Sequence, residues 1–128
     1  MNLKKFLPLL PVLLLAGCST APVFTRMTPT QQPRNGDNLY PVEVAFNSQQ
    51  QSVRWDSIKP YVLVDGQPFP LRPVPIVKNR WEGLVRVPPT KEAVTYRFKF
   101  DYLYNTFGAD PKPDSAWSKS YSLKIVNP

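Results

Sequence analysis

The stretch "VTYRFKFDYLY", Val94 to Tyr104, decides the fold. Val94, Tyr96, Phe98, Phe100, Tyr102 and Tyr104 fall on one side of an extended chain. Thr95, Arg97, Lys99, Asp101 and Leu103 fall on the other. Successive side chains of a strand point to opposite faces, so six consecutive alternate positions that are apolar or aromatic predict a strand with one buried face. A helix would scatter the same rings around its whole surface.

The same period of two runs outward in both directions. "YPVEVAF" alternates Val42, Val44 and Phe46. "SVRW" offers Val53 and Trp55, and "RWEGLVRV" offers Trp81 or its neighbours, then Leu84 or Val85, then Val87. "KSYSLKIV" alternates Tyr121, Leu123 and Ile125. In "YVLVDGQPFPL" the pair Asp65-Gly66 predicts a tight hairpin, because both residues tolerate positive φ. Pro41, Pro68, Pro70, Pro73 and Pro75 cannot donate to a ladder, so their strands are expected at sheet edges or irregularities. About seven strands in some ninety residues, with no helical stretch and no repeat, predict one all-β domain: a single antiparallel β-sandwich over 39–128.

The N-terminus reads differently. Lys4 and Lys5 precede an apolar run from Phe6 to Ala16, which ends "LAGCST" with Cys18, the one cysteine of the chain. Eleven apolar residues are fewer than the roughly 20 that cross a bilayer as a helix, and the layout matches a secretory signal. Residues 1–17 are read as that signal. Residues 18–38 are rich in Thr, Pro, Gln and Asn and are read as a flexible tether, of r.m.s. span roughly 25 Å.

Leu15-Ala16-Gly17-Cys18 resembles the bacterial lipobox. That resemblance implies a diacylglyceryl group on the Cys18 sulfur, removal of 1–17, acylation of the new amino terminus, and a membrane held through lipid. Ser19, in place of the aspartate associated with inner-membrane retention, implies the outer membrane facing the periplasm. "LVRVPPTKEAVTYRFKF" resembles the E-to-F passage of immunoglobulin-like and fibronectin-type-III-like modules. The resemblance implies that the Tyr96 hydroxyl bonds back to the proline turn and that Trp55 is a strand-B core tryptophan.

Composition narrows the chemistry. The chain has 16 basic and 9 acidic residues, and no histidine. Without Lys4 and Lys5 the mature chain keeps 14 basic residues, a net charge of +5. Such a balance favours anionic surfaces or acidic partners. The bases form no run, so no nucleic-acid role is expected. Lack of histidine removes the usual catalytic triads and, with one cysteine, the usual zinc sites. Asp65 reads as a turn former. Asp110 and Asp114 in "GADPKPDSAW" fall short of a calcium loop. No enzyme activity, cofactor or metal is expected.

Binding remains. Trp55, Trp81 and Trp117 are possible stacking platforms, with Trp55 and Trp81 read as core and Trp117 as the exposed one. "NRWEGLVRVPPTKEAVTYRFKFD" also resembles starch-binding modules of sandwich fold. Asn105 to Ser118 reads as a long F–G loop, where such modules place recognition. Asn105, Phe107, Asp110, Lys112, Trp117 and Trp81 are the candidate binding residues. The partner expected is another envelope protein; the alternative is a glycan such as peptidoglycan, lipopolysaccharide or a glucan.

Overall fold

A computed structural model describes residues 23–48 and 52–128; the signal segment and Cys18 lie outside the described residues. The described chain forms ten strands. They are β1 (Val23–Arg26), β2 (Gln31–Pro33), β3 (Leu39–Asn47), β4 (Val53–Val64), β5 (Gln67–Pro70), β6 (Arg72–Pro73), β7 (Arg80–Arg86), β8 (Ala93–Thr106), β9 (Ala109–Trp117) and β10 (Tyr121–Val126). One sheet has the order β1-β3-β7-β6. The other has the order β2-β10-β8-β4-β5, with β9 also on β8. All pairs are antiparallel except β2 with β10, which is parallel. The two sheets pack face to face as a β-sandwich.

The alternation read from the sequence is the alternation of burial. Val94, Tyr96, Phe98, Phe100 and Tyr102 of β8 are buried, as are Tyr40, Val42, Val44 and Phe46 of β3 and Tyr121, Leu123 and Ile125 of β10. On β7 the inward residues are Trp81 and Val85, while Leu84 points outward. Between Trp81 and Val85 sits Gly83, where a Cβ would lie 2.6 Å from Leu71 Cδ2; only glycine lets Leu71 pack there. At one end of the core Phe24, Phe46, Trp81 and Phe100 stack with centroids 4.8–6.4 Å apart. At the other, Tyr96, Phe98 and Tyr121 do so.

The prolines sit where missing donors cost least. Pro68 and Pro70 are on β5 and Pro73 is on β6, each an edge strand. Pro41 lies on β3 opposite Leu84, and its carbonyl faces away from β7 to accept a 2.9 Å bond from Gln32 Nε2. The Asp65-Gly66 hairpin forms as expected, joining β4 to β5 with φ of 52° and 77°.

Several expectations are corrected. The tether read over 18–38 carries two strands, and the sandwich includes the chain from Val23 onward. Phe24 reaches into the core, 4.9 Å from Phe46 and 5.2 Å from Phe100. Where the chain leaves β1 for β2, Thr28 substitutes for a strand neighbour. Its Oγ1 accepts from Glu43 N at 2.7 Å and donates to Glu43 O at 3.2 Å. The long F–G loop read over Asn105 to Ser118 is also replaced: Asn105 to Trp117 is strand apart from a two-residue turn at Phe107-Gly108. Trp55 is 43% exposed, because it sits in a bulge of β4 between Arg54 and Lys59. The Tyr96 hydroxyl does not bond to the proline turn; it is buried with no hydrogen-bond partner among the described residues. Burial raises its pKa, although Thr28 and Arg26, which it faces, pull the other way.

Candidate functional site

β8 is the strand on which the candidate site is built. Its first half pairs with β10 and its second half with β9, so β9 and β10 lie end to end along one side of it. Ser118 bridges the break. Its N–H donates to Phe98 O at 2.9 Å, and its Oγ accepts from Phe98 N at 2.8 Å in place of a backbone carbonyl. On the other side of β8, Ser57 does the same in the β4 bulge, accepting from Leu103 N at 2.8 Å and donating to Arg54 O at 2.6 Å. Two serine hydroxyls thus keep both ladders of β8 satisfied across irregularities.

Outward from the core, the face of β8 and β9 carries an aromatic and cationic group. Trp117 pairs directly with Lys99 and lies diagonally from Arg97. The Arg97 guanidinium carbon is 4.1 Å from the indole centroid and Lys99 Nζ is 5.1 Å from it. A cation held over an indole face is attracted by its quadrupole, by about 0.5–1 kcal/mol at exposed sites. Lys99 Nζ is also 3.5 Å from Asp101 Oδ1, which accepts a 2.6 Å bond from Ser115 Oγ. Beside this group runs an open groove of about 920 Å³, lined by Asp56, Lys59, Leu103, Pro113 and Asp114 among others. Tyr102 donates to Asp114 Oδ2 at 3.4 Å; burial, then the Asp114 charge, raise the Tyr102 pKa.

The free edge of β9 does not invite another strand. Ser118 and Phe98 set the register, so the backbone groups of 113 and 115 face outward. Pro113 has no N–H to offer, and Ser115 N–H is already taken by Asp114 Oδ1 at 2.8 Å. An edge treated this way resists strand addition, and contact there falls to side chains.

The six candidate residues do not form one site. Asn105, Phe107, Asp110 and Lys112 gather at the far end of the β8–β9 hairpin. Trp117 is at the opposite end of β9 and 46% exposed. Trp81 is in the core and leaves the set. Arg97 was missed; its relation to Trp117 is a diagonal across a ladder, invisible without the register. Elsewhere a more apolar groove of about 840 Å³ is lined from both sheets, by Glu43 and Leu84 of one and Gln32 and Phe69 of the other, with Met27 beside them. Among the described residues no group of three His, Cys, Asp or Glu is placed to hold a metal ion. No protein-family model matches the chain, and no curated protein or solved structure is significantly similar to it.

Proposed function

We propose that the chain is a bacterial envelope lipoprotein, anchored by acylated Cys18 in the outer membrane, whose immunoglobulin-like domain works by contact with another envelope protein. Strand order supports the immunoglobulin-like reading. β1-β3-β7-β6 follows the A-B-E-D order, and β10-β8-β4-β5 follows the G-F-C-C′ order of variable-type domains.

The observation that carries the binding role is Trp117, half-exposed under the Arg97 guanidinium on a face no other part of the described chain covers. Tryptophan and arginine are the side chains that most often anchor protein interfaces. In-cell cross-linking followed by purification is expected to capture one defined partner, and Trp117→Ala is expected to weaken that complex by about 2 kcal/mol or more. Recovery of the uncross-linked protein alone at native abundance would overturn the reading.

The polar groove beside Trp117 favours glycan binding as the second reading, since Asp56, Lys59, Asp101 and Ser115 offer donors and acceptors next to an indole. Titration with peptidoglycan fragments, lipopolysaccharide and glucans separates the two. A glycan ligand changes Trp117 fluorescence without any protein partner.

A further inference from the structure

Turn tips ordinarily carry Gly, Asn, Asp or Ser, whose backbone freedom or hydrogen bonds the turn needs. At one end of this sandwich two turns, although they contain Asn79 and Gly108, also expose a large apolar residue. The 74–79 connection holds Ile76 at φ 70°, a left-handed conformation that β-branched residues rarely adopt. Ile76 is nonetheless 104% exposed, and Phe107, at the apex of the β8–β9 turn, is 108% exposed. Neither belongs to the core. A strained or exposed apolar residue that does nothing for the fold is a pointer to function.

Strand pairing brings these tips to the same end as the start of β1. Val23 pairs with Asn47, Phe46 N donates to Asn79 O at 3.0 Å, and Asn105 N donates to Ser52 O at 2.8 Å. Val23 and Val77 are exposed there too. Lys78 follows Val77, and Lys112 sits on the hairpin opposite Tyr104, with Asp110 the acid nearest the apex. In the turns at the other end, over 35–38, 65–66 and 88–92, no large apolar side chain of the described residues is exposed.

Chain length decides which end faces a membrane. From Cys18 to Val23 the chain reaches at most about 18 Å, even fully extended. β3, with nine residues, is about 30 Å long. A lipid on Cys18 therefore keeps the Val23 end at the surface and lets the other end stand away from it.

We infer that the Val23 end docks on the bilayer, with Ile76, Val77 and Phe107 entering the headgroup–acyl boundary and Lys78 and Lys112 meeting the lipid phosphates. This rests on the reading of Cys18 as a lipid anchor. Apolar side chains beside lysines are what an interfacial contact requires: the first lose water, the second keep their charged heads at the phosphates. The several acyl chains on Cys18 suffice to hold the protein at the membrane, so what such a contact adds is orientation. Docking on this end stands the sandwich upright and leaves the Trp117 face at its side, clear of lipid.

The test uses the mature, lipidated full chain in vesicles of phosphatidylethanolamine and phosphatidylglycerol. An environment-sensitive dye is attached through Ala109→Cys, beside the apex, or through Thr90→Cys, at the opposite end. Intact mass gives the state of Cys18, whose acylation leaves the introduced thiol as the only one to label. The expected result is quenching by spin-labelled lipids several times stronger at 109 than at 90. Adding Ile76→Ser and Phe107→Ser is expected to bring the signal at 109 down to that at 90, while the protein still floats with the vesicles. Equal quenching at both positions with Cys18 acylated overturns the docking alone. An unmodified Cys18 with no flotation overturns the anchor, and the docking with it.

Discussion

The two ends of the sandwich are built on the same backbone conformations and opposite side-chain chemistry. At the end away from Val23, every residue in the left-handed region is Asn38, Asp65 or Gly66. The turns there satisfy themselves. Asn35 Oδ1 accepts from Asp37 N and Asn38 N, Asn35 Nδ2 donates to Leu39 O, and Lys91 lies 3.6 Å from Asp65. At the Val23 end the left-handed positions are Ile76, Asn79 and Gly108, and the tips are Ile and Phe. Folding accounts for the first set of residues. The second set includes choices that make folding slightly harder, which points to a demand from outside the domain.

Both ends hang from one core, and the largest effect tests that premise. Phe100 is buried among Phe24, Phe46 and Trp81, so Phe100→Ala is expected to cost about 3–5 kcal/mol in denaturant unfolding. Its outward neighbour Lys99, changed to Ala, loses only exposed contacts to Trp117 and Asp101 and is expected to cost no more than about 1 kcal/mol. If the two changes cost the same, the faces of β8 are wrongly assigned.

The sharpest contrast comes from two residues in the same conformation. At Gly66, φ is 77° with open space around the missing Cβ, so Gly66→Val strains only the backbone and is expected to lose about 1–3 kcal/mol. Ile76 already carries that strain at φ 70°, and Ile76→Asn is expected to gain about 1 kcal/mol. Opposite signs support the comparison; a loss at both positions breaks it.

The smallest effect concerns Tyr96, near the polar end of the core. Its hydroxyl is buried and unpaired among the described residues, so Tyr96→Phe is expected to leave stability unchanged or slightly raised at neutral pH. Its pKa lies above the ordinary 10.0 in the folded state. The unfolded chain therefore loses this proton first as pH rises, and stability falls from about pH 10 upward. Tyr96→Phe is expected to make that alkaline fall shallower, as measured by urea unfolding between pH 8 and 11.

Much of the fold was legible in the chain, and the site much less so. The inward set of β8, β3 and β10, the Asp65-Gly66 hairpin and the edge positions of Pro68, Pro70 and Pro73 all follow from single residues and their immediate neighbours. Trp117 was legible as exposed because it borders polar sequence. Trp55 was not, since the β4 bulge that turns it outward arises from pairing with β8. Strands β1 and β2 were not legible within the tether read over 18–38 because they are short, and of their inward residues Phe24, Arg26 and Gln32 only the first is apolar. The F–G loop was misread because β9 carries proline, aspartate and lysine, residues rare in strands, and is a strand only because β8 supplies its ladder.

By itself the sequence determined the sheet class and which side of each long strand turns inward, because a strand's period of two is a property of the local backbone. Only the tertiary structure decided that Arg97 lies over Trp117, that Ser57 and Ser118 mend the ladders of β8, and that Val23, Ile76 and Phe107 share an end. Those relations join residues far apart in the chain, and strand register, which the packing of the whole core sets, is what brings them together.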